Sequence, residues 1–227
     1  MSHSRKANRK GTSLERSHSP RVLIADDHTL VAESLRKLLE SEFSVVGTVA
    51  DGRALLRAVP ELKPDVIVLD IGMPLLNGLD AGEQVKQKVP GVKLVYLTMN
   101  QDAEIASEAF RRGASGYLLK TCVASELVAA IRNVLKGKSY VSPRIAREMK
   151  PALSRSGKPR PRPKLTPRQI EVLQLLAEGR SMKEVAGVLN LTPRTVAFHK
   201  YRIMEVLRLK SNAELVQYAI RNRIISG

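Results

Sequence analysis

The chain reads as an α/β protein, a doubly wound parallel sheet followed by a small all-helical domain. Short apolar runs, several ending in Asp, Thr or Lys, alternate with amphipathic stretches from Arg21 to about Gly137. That alternation implies a parallel sheet covered by helices on both faces. Beyond a Pro-rich basic stretch, helix start signals recur at Thr166, Ser181, Thr192 and Ser211 with no strand-like segment between them.

Residues 1–20 lack apolar periodicity and read as a disordered basic tail. The first strand is Val22-Leu23-Ile24-Ala25, running into Asp26-Asp27. Leu30, Val31, Leu35, Leu38 and Leu39 then recur at helical spacing. A second strand spans 44–50 and a helix 52–62. Val66-Ile67-Val68-Leu69 is a continuous apolar strand that delivers Asp70, before Gly72 and Pro74 turn the chain away. A helix follows near 79–88, then strand 93–97 ending at Thr98, and a helix ending at Gly113. The last βα pair is strand 116–119, ending at Lys120, with a helix near 125–135. This gives a five-stranded domain over 21–141. Residues 142–163, with Lys-Pro-Arg-Pro-Arg-Pro near their end, read as a basic Pro-rich linker. The helical domain occupies 164–227.

In open α/β sheets ligands bind at the carboxyl ends of the strands. Asp26, Asp27, Asp70, Thr98 and Lys120 would converge on one such edge. Asp26 and Asp27 suit a hard cation, Mg²⁺, which takes one or two carboxylates, waters and a phosphate oxygen. A carboxylate such as Asp70 serves as a nucleophile in aspartyl-phosphate chemistry. Lys120 would neutralise the phosphate, and Thr98 would give it a hydroxyl hydrogen bond.

In the helical domain a short helix, a tight turn at Asn190-Leu191 and a longer helix make a helix-turn-helix. At about 100° per residue, Val196, His199, Ile203, Val206 and Leu207 share one face of the longer helix. The opposite face carries Arg194, Ala197, Phe198, Tyr201 and Glu205, flanked by Lys200 and Arg202. Such a mixture of basic and apolar groups suits a major groove. Charge agrees with this placement. The net charge is +16, yet residues 21–143 hold fifteen basic and fifteen acidic side chains, so the excess lies in the tail, the linker and the helical domain. A basic C-terminal half points to a polyanion partner.

The segments VLIADDHTLV, VIVLDIGMPLLNGLD, LVYLTMNQD, GASGYLLK and GKSYVSP resemble the response-regulator receiver domain. Residues 164–225 resemble the LuxR-type helix-turn-helix of the NarL/FixJ response regulators. The resemblance implies a strand order 2-1-3-4-5, Asp70 as phosphoacceptor, and Asp26 and Asp27 as metal carboxylates joined by Asp70 and the Gly72 backbone carbonyl. It implies Thr98 and Lys120 as switch hydroxyl and phosphate-binding lysine, and Tyr117 as the aromatic that swings inward with Thr98. The expected DNA-binding set is Lys183, Thr192, Arg194, Thr195, Ala197, Phe198, Lys200, Tyr201 and Arg202. The last helix, about 212–222, would pair two DNA-bound domains through Leu215, Val216, Ala219 and Ile220, some of which must also be core. The implied function is a transcriptional regulator that takes a phosphoryl group from a sensor histidine kinase and binds promoter DNA as a homodimer.

Three other functions compete with this reading. A receiver acting only as a dimerisation platform would leave Asp70, Thr98 and Lys120 unused. An Asp-nucleophile phosphatase would want a second Asp two residues after Asp70, where Gly72 stands, and a dinucleotide-binding site would want glycines where Asp26-Asp27-His28 stands. Beyond its own phosphotransfer, no enzyme activity is expected. No run of about 18 apolar residues suggests a membrane span, and the polar start is not a secretory signal. With Cys122 as the single cysteine no intrachain disulfide forms, and a cytoplasmic location is expected.

Overall fold

The computed structural model describes residues 19–99, 101–122, 124–155, 165–222 and 224–225. Most of the tail expected to be disordered, and the Pro-rich residues 156–164, lie outside these. The strands are β1 (Arg21–Ala25), β2 (Ser44–Val49), β3 (Val66–Leu69), β4 (Lys93–Thr98), β5 (Gly116–Leu119) and β6 (Tyr140–Val141). The helices are α1 (Thr29–Leu39), α2 (Gly52–Leu62), α3 (Gly78–Lys88), α4 (Ala103–Arg111), α5 (Ala124–Leu135), α6 (Pro143–Arg155), α7 (Pro167–Ala177), α8 (Met182–Leu189), α9 (Pro193–Leu207) and α10 (Asn212–Arg221). None of the described helices is long and apolar enough to cross a membrane.

All strand pairs are parallel, in the order β2-β1-β3-β4-β5-β6. The expected order is thus present with a sixth, two-residue strand added at the β5 edge. Period-2 alternation divides the sheet residues between two apolar layers. Leu23, Ile67, Leu69, Leu94, Tyr96 and Tyr117 face one layer, shared with residues of α2, α3, α4 and α6. Val22, Ile24, Val66, Val68, Val95, Leu97 and Leu118 face the other, shared with α1 and α5. Ala25 pairs with Leu69, Leu69 with Tyr96 and Thr98 with Leu119. This register brings the residues that follow β1, β3 and β5, together with Thr98, to one edge.

Residues 142–155, the described part of the expected linker, differ from what Pro and charge content suggest. Residues 143–155 are helical, with the Ser142 N–H bonded to the Tyr117 carbonyl at 3.0 Å and Pro143 opening the helix. Ile145 is fully buried and Met149 packs beside it in the receiver core. Those two residues stand four apart among Arg and Glu, a stripe too sparse to outweigh the surrounding polarity in a sequence reading.

The third apolar cluster belongs to the C-terminal domain, built on Val172, Leu173, Leu175, Val185, Leu189, Val196, Ile203, Leu215 and Ala219. Thr166 and Ser181 form full capping boxes with Gln169 and Glu184. At α10 the box is only half formed. Ser211 accepts from the Glu214 N–H, while the Glu214 carboxylate accepts from the Lys210 N–H at 2.9 Å instead. Ile170 and Leu176, which helical spacing assigns to the apolar face of α7, are only half-buried.

The two domains touch. Leu75, in the loop between β3 and α3, packs against the C-terminal core. Arg53 of α2 pairs with Glu171 of α7 at 3.1 Å.

Candidate functional site

Asp26 and Asp70 follow neighbouring parallel strands and are 4% and 6% exposed. The Asp70 N–H donates to the Ala25 carbonyl at 2.8 Å, and the Asp26 N–H to the Val49 carbonyl at 3.0 Å, so the sheet ladder itself fixes both backbones. Lys120, following β5, places Nζ 2.7 Å from Asp26 Oδ2 and 2.9 Å from Asp70 Oδ2. Asp70 Oδ1 accepts from the Ile71 N–H at 2.8 Å. Burial raises the Asp70 carboxyl above the ordinary carboxylate range, against the opposing pull of Lys120. Burial also opposes the Lys120 charge, but hydrogen bonds to Asp26 and Asp70 outweigh it and raise the ammonium above its usual value.

Asp27 is less buried, yet its Oδ1 is shielded from solvent and accepts no hydrogen bond. It lies 2.9 Å from Nδ1 of His28, which is also 3.3 Å from Asp26 Oδ1. One ligand atom each from Asp26, Asp27, His28 and Asp70 falls within a span of 4.8 Å. Three carboxylates, one of them with a solvent-shielded oxygen that accepts no hydrogen bond, fit a hard divalent cation. Sequence reasoning left His28 out of this cluster, although its position directly after Asp26-Asp27 was the available signal. Thr98 is buried at the end of β4, its carbonyl accepting from the Lys120 N–H at 2.8 Å. Gly72 is exposed in the loop after Asp70. Tyr117 lies fully buried in the core layer that also holds Tyr96.

On α9 the division of faces follows the angular reading. Val196 and Ile203 are fully buried, and His199, Val206 and Leu207 half-buried. Arg194, Phe198, Tyr201, Arg202 and Glu205 are exposed, with Ala197 and Lys200 half-buried. Phe198 and Tyr201 stand 67% and 64% in solvent, a large cost for aromatics without a partner. The Lys200 ammonium lies 5.9 Å from the Tyr201 ring centre, and Phe198 meets His199 edge-on. Thr192 caps the helix by accepting from the Thr195 N–H, and the two hydroxyls lie 2.9 Å apart. Lys183 is exposed on α8.

The expected pairing face on α10 needs correction. Leu215 and Ala219 are buried in the core of their own domain, because they lie four residues apart on the inward stripe. Only Val216, half-buried, and Ile220, 42% exposed, remain for a second copy.

Residues 22–132 match the response regulator receiver domain family, and residues 163–219 the bacterial regulatory proteins of the luxR family. Over 214 residues the chain is 34% identical to the oxygen regulatory protein NreC of Staphylococcus carnosus, covering 90% of this chain and 99% of that protein. The chain belongs to the response regulators with a LuxR-type DNA-binding domain. Among solved structures this response regulator is similar to a LuxR-family regulator from an Aurantimonas species, at 34% identity and a TM-score of 0.58, over 60% of this chain and 99% of that one. It is also similar to RcsB in complex with DNA, at 30% identity and a TM-score of 0.57, over 88% and 98% of the two chains. The response regulator is a phosphorylation-controlled, DNA-binding regulator of transcription, not a classical enzyme.

One further contact escaped sequence reasoning. Gln174, only 1% exposed, reaches from α7 into the β3–α3 loop. Its signal in the sequence is a polar stripe, Glu171, Gln174 and Glu178, running at helical spacing beside the apolar residues of α7.

Proposed function

We propose that Asp70 is the phosphoacceptor of this regulator and that Asp26, Asp27, Asp70 and the Gly72 carbonyl hold Mg²⁺. The observation that carries this reading is the half-buried Lys120 bridging Asp26 and Asp70, beside the solvent-shielded oxygen of Asp27. Such a set binds a dianionic phosphoryl group between a cation and an ammonium. An Asp70 carboxylate oxygen attacks phosphorus of a phosphohistidine on the sensor kinase. The O–P bond forms, the N–P bond breaks, and imidazole leaves with the former bonding pair. A bound Mg²⁺ supplies charge neutralisation for the phosphoryl oxygens. Lys120 exchanges its bonds to the carboxylates for bonds to phosphate, and Thr98 donates its hydroxyl to another phosphate oxygen. An apolar groove between α1 and α5, lined by Leu30, Val31, Leu38, Leu97 and Leu127, opens beside Lys120 and suits the approach of a kinase helix.

The DNA-facing set is Lys183, Thr192, Arg194, Thr195, Ala197, Phe198, Lys200, Tyr201 and Arg202, placed on promoter DNA in the cytoplasm by a homodimer. Val216 and Ile220 supply the α10 contacts. The test is incubation with acetyl phosphate. Labelling is expected in Mg²⁺, lost with chelator and lost in Asp70→Asn. Equal labelling of the Asn variant would overturn the assignment.

A further inference from the structure

We propose that Gln174, a residue of the DNA-binding domain, is a positioning residue for the acidic pocket. It holds the loop that follows Gly72, so that cation binding and docking of α7 strengthen one another. The proposal rests on the reading of Asp26, Asp27 and Asp70 as a cation and phosphoryl site.

The β3–α3 loop carries the chain from Asp70 to the start of α3, and α7 satisfies much of its backbone. The Gln174 side-chain amide donates to the Met73 carbonyl at 3.0 Å and accepts from the Asn77 N–H at 2.7 Å. Glu178, one turn on, accepts from the Leu75 N–H at 3.1 Å and from Gln174 Nε2 at 2.8 Å. Gln174 is buried, so both ends of its amide need these partners.

Leu75 makes the loop's dependence on α7 visible. Its φ is +65°, in the left-handed region that a branched aliphatic residue rarely occupies. Such a conformation persists where surrounding structure over-determines it. Here the surroundings come from the other domain, since the Leu75 side chain packs on the C-terminal core. The far end of the loop is tied as well. Asn77 Nδ2 donates to Asp80, and Asp80 pairs at 2.7 Å with Arg112, just past the end of α4, the helix that follows Thr98.

A loop already ordered by α7 presents its carbonyls to a cation at a lower entropic cost. A cation that orders the same loop in turn favours docking, because the linkage is reciprocal. Docking by α7 leaves Phe198 and Tyr201 of α9 in solvent, so the same contact is compatible with an open recognition face.

The experiment uses the full chain as wild type, Gln174→Ala and Leu75→Gly, with Asp27→Asn as the pocket control. Mg²⁺ affinity is measured by titration calorimetry, and the inter-domain distance by spin labels, with and without Mg²⁺ and beryllofluoride. Both interface variants are expected to bind Mg²⁺ about fivefold or more weakly than wild type. Mg²⁺ with beryllofluoride is expected to narrow the distance distribution in wild type and not in Gln174→Ala. Should Gln174→Ala unfold the C-terminal domain, Leu75→Gly decides, because glycine accepts the positive φ and only the docking contact is lost. Unchanged or tighter Mg²⁺ binding in the variants, with wild type binding normally, overturns the linkage and leaves the pocket reading intact. A wild type that binds no Mg²⁺, or one that Asp27→Asn matches, overturns the pocket reading and the proposal with it.

Discussion

A Cβ built on Gly78 would lie 1.9 Å from the Asp70 carbonyl oxygen, so the start of α3 closes directly onto the Asp70 backbone. The Gly78 N–H also donates to the Ile71 carbonyl at 2.9 Å, leaving neither strand nor helix room to retreat. Gly78→Ala should therefore destabilise the receiver by about 3 kcal/mol, the upper range for overpacking, as read by urea denaturation. Acetyl phosphate labelling of Asp70 should fall with it. Cys122 offers a second test at this scale. Burial, with help from Glu126, pushes its thiol up to about 11, so less thiolate is present at any pH below that value. Since the thiolate is the nucleophile, alkylation by iodoacetamide at pH 8 should run roughly tenfold or more slower than that of a free cysteine. The rate should still be climbing above pH 10, where a free thiol has nearly levelled off. Mass spectrometry of timed samples measures both.

Helix α9 shows how an element takes its role from its faces. The inward stripe is fixed by burial of Val196 and Ile203, and this leaves Arg194, Phe198 and Tyr201 outside together. The cap at Thr192 and Pro193 starts the helix where its first turn can meet a phosphate backbone. Removing Arg194 and Lys200 together should weaken DNA binding and lower the slope of log affinity against log salt by about two, one per lost phosphate contact. Fluorescence anisotropy across a salt series measures both terms. An unchanged slope would remove these residues from the phosphate contacts. Helix α10 follows the same logic with a different result, because its stripe at Leu215 and Ala219 is consumed by the core and only its margin is free.

For the whole molecule, a near-neutral receiver is joined to basic C-terminal segments, which localises the polyanion partner at one end. On the proposed assignment, phosphorylation would add negative charge at Asp70, beside Lys120 and two further carboxylates, and such a local event biases a two-state element. Beryllofluoride with Mg²⁺ should raise both DNA affinity and the dimer fraction, measured by anisotropy and sedimentation velocity. Indifference of both would leave the receiver as a dimerisation platform. In a dimer, two helix-turn-helix domains can reach half-sites about one helical turn apart.

The sequence by itself determined the (βα)₅ order, the strand-end positions of Asp26, Asp27, Asp70, Thr98 and Lys120, and the inward and outward faces of α9. Those features follow from local periodicity and from the rule that parallel strands end at a common edge, both of which survive in one dimension. Helix α6 was not legible, because a two-residue apolar stripe at Ile145 and Met149 declares itself only when α4 and the sheet supply a surface to receive it. That α10 gives some of its stripe to its own core was expected, but which residues it gives was not legible, since helical spacing marks an apolar face without saying what covers it. The tertiary structure alone decided that Leu75, Asn77 and Gln174 meet. These contacts join residues about a hundred positions apart, and no local pattern encodes a partner at that distance. What the sequence did hold was the mismatch itself, a buried-type polar stripe on α7 and a leucine in the β3–α3 turn, and the packing of one domain on the other is the physical reason for both.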